Sequence, residues 1–121
     1  MINTRTVGFN KEDEACAYLK KRGYKILERN FRTPFGEIDI IAGHKKDIVF
    51  VEVKYRKSSF SGAPQEAVTK SKQQKIIKSA LSYMKQKRIN GDMRFDIVAA
   101  NDTGFEIIES AFTAEQGRYY F

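Results

Sequence analysis

Cysteine is all but missing from this chain. Cys16 is the only one in 121 residues, so no disulfide can close within the chain and no thiolate cluster can hold a metal. Long apolar runs are absent too, since none approaches the roughly 18 residues that a membrane-spanning helix needs. The opening residues, MINTRTVGFN, lack the apolar block of a secretory signal, which points to a cytoplasmic protein with no membrane partner. Repeats, low-complexity tracts and linkers are also lacking. At 121 residues the chain can bury one real core but not two, so a single domain over residues 1–121 is expected. Acids are scarce in one region only: residues 54–88 hold 10 Lys/Arg against one acid, Glu66. Residues 1–53 hold 10 against 8, and residues 89–121 hold 2 against 6. The net charge of +7 is therefore concentrated in a single segment. A solvated lysine-rich helix accounts for such a segment. Beside a cluster of acids it also suits a polyanion, above all nucleic acid.

What is present reads as a globular fold, with 41% hydrophobic residues and nine Phe. The pattern from about Phe9 to Arg22 predicts a helix stopped by Gly23, with Phe9, Glu12, Cys16 and Leu19 on one stripe. YKILERNFR (24–32) reads as a strand and TPFG as the turn that follows. EIDIIA and DIVFVEVKYR are rich in β-branched and aromatic residues and read as strands. KSSFSGAPQ is a polar connection, bent by Gly62 and Pro64. A long helix is expected from Glu66 to about Arg88. Val68, Ile76, Ile77, Ala80, Leu81 and Met84 face inward there, and Lys75, Lys78, Ser82 and Lys85 face outward. MRFDIVAAN and GFEIIESAF read as two closing strands. The expected order is α-β-β-β-α-β-β, an α/β (α+β) domain with a mixed central sheet flanked by helices. Cys16 reads as a packed thiol and His44 as a surface residue of a tight turn. The aromatic tail, Tyr119 to Phe121, is expected to dock on the core or on a partner chain.

Core strands seldom carry Glu37, Asp39, Glu52 and Lys54 together. If the two strands pair antiparallel around a four-residue loop, His44 to Asp47, then Gly43 faces Ile48 and each opposed pair of numbers sums to 91. Asp39 then faces Glu52 and Glu37 faces Lys54, all on one face of the sheet. Opposed Cβ atoms lie about 4.5–5.5 Å apart, so the two carboxylates repel unless a cation or a shared proton sits between them. A one-residue change in loop length would set Asp39 among the valines instead. Such oxygens suit Mg²⁺, which lowers the pKa of a bound water, while Lys54 orients that water or offsets charge on a phosphate. The plainer alternative is a buried salt-bridge network of Asp39, Glu52 and Lys54.

GEIDIIA and VFVEVKYR closely resemble the two central motifs of the YraN-like family of small predicted endonucleases. That family lies within the PD-(D/E)XK, or restriction-endonuclease-like, nuclease superfamily. EDEACAYLKKRGYKILERNFR resembles its opening helix and first strand; GAPQEAVTKSKQQKI, RFDIV and SAF resemble later parts more loosely. The likeness covers about residues 8–112 and leaves 113–121 as a tail. It implies a restriction-endonuclease-like core and a Mg²⁺- or Mn²⁺-dependent endonuclease acting on DNA, with branched or damaged structures as candidate substrates. Asp39 and Glu52 would bind metal, joined by the backbone carbonyl of Val53, and Lys54 would be the motif's lysine. Archaeal Holliday-junction resolvases have a similar helix-borne acid, which adds Glu12 as a further ligand, with Glu37 behind the ligands. Junction-cutting relatives also imply a homodimer. Arg56, Lys57, Lys72, Gln73, Lys75, Lys78 and Lys85 are the candidate nucleic-acid contacts. Two other readings remain open: a nucleic-acid-binding module that does not cut, and a scaffold whose acids serve only as ion pairs.

Overall fold

The computed structural model describes residues 4–55 and 68–114, with side chains from residue 11 onward. Helix α1 spans Thr4–Lys21, followed by strands β1 (Lys25–Thr33), β2 (Gly36–His44) and β3 (Asp47–Tyr55). Helix α2 (Lys70–Lys87) precedes β4 (Met93–Asn101) and β5 (Gly104–Phe112). This is the expected order α-β-β-β-α-β-β in a five-stranded mixed sheet, β1-β2-β3-β4-β5. Only β3 and β4 run parallel, and α2 lies in the connection between them, as a parallel crossover requires. Several expectations fall outside the described residues: Arg56, Lys57, the connection with Gly62 and Pro64, Glu66, and the aromatic tail.

Helices cover both faces of the sheet. On one face Ala15, Cys16 and Leu19 of α1 pack against Ile40, Ala42, Val49, Val51 and Val98. On the other Ile76, Ile77, Ala80, Tyr83 and Met84 of α2 pack against Phe31, Ile38, Ile41, Phe50 and Phe95. The alternating side chains of β3 and β4 thus feed two cores, which is why these strands read as continuous apolar runs. Among the described residues, no helix is long and apolar enough to cross a membrane. Cys16 is packed as expected, and burial raises its thiol pKa.

Helix α2 starts later than its periodicity suggests. Thr69 is its N-cap, with its hydroxyl accepting the Lys72 N–H at 3.2 Å, and Arg88 closes it in the left-handed region at φ 55°. Val68 is buried as expected but precedes the cap. The Thr69 hydroxyl ahead of a lysine-rich turn satisfies a helix N–H, so capping chemistry sets the start rather than the apolar spacing.

Candidate functional site

The β2–β3 hairpin has the register that the parity argument required. Gly43 faces Ile48 and Ile40 faces Val51, while His44 and Asp47 also pair, so the loop is tighter by two residues and parity is preserved. Pairing stops at Ile40 and Val51, one position short of Asp39 and Glu52. There the strands fork. The Val53 N–H donates to Asp39 Oδ2 at 2.8 Å, where a regular ladder would have placed a backbone carbonyl.

The fork has a local cause. In β1 Asn30 adopts φ 54°, a left-handed conformation that Asn tolerates better than most residues. Arg29 pairs with Ile40 and Phe31 with Ile38, so Asn30 and Asp39 occupy facing positions that the ladder skips. Both strands change face across this point. Ile40 lies in the α1-side core and Ile38 in the α2-side core, although a regular strand would put both on one side.

Four ionisable groups, Asp39, Glu52, Lys54 and Lys72, converge below the fork, beneath the start of α2. Glu52 is 5% exposed, and its Oε2 lies 3.1 Å from Lys72 Nζ. The same oxygen is sealed from solvent and has no well-aligned hydrogen bond, so the lysine contact is ionic and off-line. Burial, with a hydrogen bond to Glu52 and repulsion from it, pushes Asp39 up to about 8, against the Val53 N–H and Lys72. Lys54 is lowered by burial and by Lys72, against the pull of Glu52 and Asp39. For Lys72 burial disfavours the charge, yet Glu52 and Asp39 outweigh it and its pKa rises. Two acids and two lysines thus share one half-buried space. Among the described residues, no three His, Cys, Asp or Glu side chains cluster closely enough to hold an ion by themselves. An ion here would draw on two carboxylates, backbone and water.

Glu12 stands elsewhere. Its carboxylate takes Arg29 Nε at 3.1 Å and Asn30 Nδ2 at 2.9 Å, and Arg29 also holds Asp13 at 2.8 Å. The expectation that Glu12 points at Asp39 and Glu52 is therefore corrected. An acid on an apolar stripe needs a cation, and Arg29 supplies it, while the left-handed turn at Asn30 swings a second donor to the same side. Glu37 is corrected too. It pairs with Arg32 at 3.4 Å rather than facing Lys54, because the strand alternation ends at Asp39.

The helix candidates divide. Lys72 enters the site, whereas Gln73 closes the helix start by donating to the Val68 carbonyl at 3.0 Å. Lys75 lines an open groove beside the site with Gly36, Glu37, Thr69 and Ser71. Lys78 lies 5.7 Å from the centre of the Phe35 ring, and Lys85 is exposed.

A second polar constellation was not anticipated. Asp96, fully buried, accepts from Tyr24 Oη at 2.7 Å, from both Nε and Nη2 of Arg94, and from the Ser110 N–H at 3.0 Å. His44, expected as a plain surface residue, stacks on Tyr24 at 3.9 Å and meets Arg94 Nη2 through Nδ1 at 2.7 Å. The spacing Arg94-Phe95-Asp96 puts a cation and an acid two apart on one strand face, the same signal that singled out Glu52 and Lys54. Both Asp96 oxygens accept two hydrogen bonds, so this cluster reads as a structural tie between β4, β5 and Tyr24, the residue just ahead of β1.

Known proteins with this sequence pattern are similarly small. A UPF0102 protein of Thermodesulfovibrio yellowstonii is 50% identical over 108 residues, covering 88% of this chain and 96% of its own. One of Syntrophus aciditrophicus is 47% identical over 121 residues, covering 96% and 94%. One of Desulfosudis oleivorans is 46% identical over 118 residues, covering 94% and 96%. Residues 11–100, which include α1 from Lys11, the hairpin, α2 and most of β4, match the family described as "Uncharacterised protein family UPF0102". With these likenesses along almost its whole length, the chain belongs to the UPF0102, or YraN-like, family.

Proposed function

We propose that this chain is a Mg²⁺- or Mn²⁺-dependent endonuclease of the PD-(D/E)XK type, hydrolysing phosphodiester bonds in DNA, branched or damaged forms included. One observation carries the reading. Carboxylates from two forked strands meet two lysines, and an oxygen of Glu52 is sealed from water without an aligned donor. A buried acid in that state favours a cation that can approach from any direction.

The donor set suits a small hard ion. Asp39 and Glu52 supply carboxylate oxygens, and the Val53 carbonyl leaves β3 on the same edge as the N–H that holds Asp39. Few protein ligands are what Mg²⁺ accepts, since it keeps several waters. Bound there, the ion would lower the pKa of a coordinated water and offset charge developing on the phosphate. The protein's own groups do the rest. Val53 fixes the Asp39 carboxylate, and the buried wall around Glu52 keeps bulk water from competing for the acids. Lys54, its proton affinity reduced by burial and by Lys72, orients the attacking water and neutralises charge on the reacting oxygens. The lysines of α2 hold the backbone of the nucleic acid.

The test is purified protein against single-stranded, duplex, flap and four-way DNAs with Mg²⁺, Mn²⁺ or EDTA. Cleavage with metal, none with EDTA, and none by a Lys54→Met variant that still binds metal is the expected result. Salt-sensitive binding without cutting under any metal would make the chain a non-cleaving nucleic-acid module. No DNA affinity at all would leave the acids and lysines as a buried ion-pair network.

A further inference from the structure

Lys72 does two things that one side chain cannot do at once in a working site. It is the third residue of α2, and its amine reaches 3.1 Å from the buried Oε2 of Glu52 while 44% of the side chain remains exposed. The stem therefore runs from an open groove down to a sealed carboxylate. Its ammonium occupies the place beside Glu52 that a metal ion needs. The groove it comes from has a volume of about 340 Å³ and is lined by Gly36, Glu37, Thr69, Ser71 and Lys75. The first turn of α2 contains no acid, Thr69 and Ser71 at the helix start line the groove with Lys75, and the positive end of the helix favours a phosphate there.

Resting on the metal-site reading above, we propose that Lys72 is an exchangeable internal cation, holding Glu52 until a nucleic-acid phosphate in the adjoining groove draws it away and so opens the site to metal. Two features support this over a permanent salt bridge. The contact is ionic but not aligned as a hydrogen bond, so little directional bonding is lost when the amine leaves. The groove also gives the amine a destination where an anion would receive it, which Glu52 in its buried wall cannot otherwise release cheaply. Metal and nucleic acid then help each other bind, because each removes an obstacle to the other. Such linkage is reciprocal by thermodynamic necessity.

The experiment measures Mg²⁺ affinity by isothermal titration calorimetry with and without a phosphorothioate version of whichever DNA form binds most tightly. It is run on the wild-type chain, on Lys72→Met and on Lys75→Met. In the wild-type chain the DNA should tighten Mg²⁺ binding by roughly tenfold or more, within the usual range for coupled sites. Lys72→Met should bind Mg²⁺ more tightly than wild type when DNA is absent, and the gain from DNA should shrink by about tenfold. Lys75→Met should weaken DNA binding yet leave Mg²⁺ affinity without DNA at the wild-type value. Should Lys72→Met fold poorly, the wild-type comparison with and without DNA still reads the linkage, and its absence overturns the proposal. Mg²⁺ binding that ignores both DNA and Lys72, or a linkage unchanged in Lys72→Met, also overturns it while leaving the metal site standing. No Mg²⁺ uptake by any of the three proteins overturns the metal site and this inference together.

Discussion

Replacing Asp39 with Asn tests the fork most directly, because charge changes there while shape hardly does. In the folded chain Asp39 is pushed up to about 8 by burial and by Glu52, against an ordinary value of 3.8. An unfolded chain gives up this proton near pH 4, whereas the folded chain keeps it until near pH 8. Between those values the unfolded state binds fewer protons, so stability falls as pH rises and levels off above the folded pKa. At about 1.4 kcal/mol for each tenfold difference, the full cost is of order 5 kcal/mol. The attraction of Lys72 and the Val53 N–H are already part of this balance and keep the cost from being larger. Total stability for a domain of this size is about 5–15 kcal/mol, so the loss is a large share of it. Asn keeps an oxygen for the Val53 N–H and offers Glu52 a donor. Asp39→Asn should therefore match the wild-type chain near pH 4 and be more stable by a few kcal/mol at pH 9, in metal-free urea melts. It should also lose the stabilisation that Mg²⁺ confers on the wild-type chain at pH 9. If the variant is less stable than wild type at pH 9, or the two show parallel pH profiles, Asp39 is not confined against Glu52 and the reasoning fails.

Glu12→Gln removes a charged partner from Arg29, which keeps Asp13, so a stability loss of about 1 kcal/mol with unchanged Mg²⁺ affinity is expected. Weakened Mg²⁺ binding in calorimetry would return Glu12 to the metal site. Asp96→Asn strips the buried counter-charge from Arg94 and should cost about 3–5 kcal/mol in urea melts, and a loss below 1 kcal/mol would show that the network is not closed. Neutralising Lys75, Lys78 and Lys85 together should weaken DNA binding and flatten its salt dependence by roughly one unit of slope per lost phosphate contact. Unchanged affinity would make those lysines plain solvated surface.

Much of the sheet was legible because strand alternation is a strict period of two. The last two strands begin and end where MRFDIVAAN and GFEIIESAF do, and the hairpin register survives a loop shorter than expected because the difference is two residues. Parity was silent on anything that breaks it. Asn30 has no special neighbours in the sequence, yet its left-handed backbone turns two strands over and detaches Glu37 from Lys54. Glu12 was misplaced for a related reason: the need for a cation was correctly read, but Arg29 could be identified as the supplier only once Asn30 set its direction. The tie through Asp96 was readable in principle from Arg94-Phe95-Asp96, but it closes through Tyr24, 72 positions from Asp96, and through a backbone N–H in β5.

The left-handed residues also govern how the sheet meets other chains. Both outer strands, β1 and β5, are nine residues long and have no partner strand on their outer edge among the described residues, the kind of border on which sheets add strands and aggregate. Each edge is broken by one non-glycine residue of positive φ, Asn30 at 54° in β1 and Ser110 at 52° in β5. At Ser110 the β4–β5 register shifts between Phe95 and Ile97, and the Ser110 amide donates to the Asp96 side chain instead of to the β4 backbone. Neither border offers a straight run of nine hydrogen-bonding residues to a second copy. Self-association through one continuous nine-residue strand pairing is thereby discouraged at both borders.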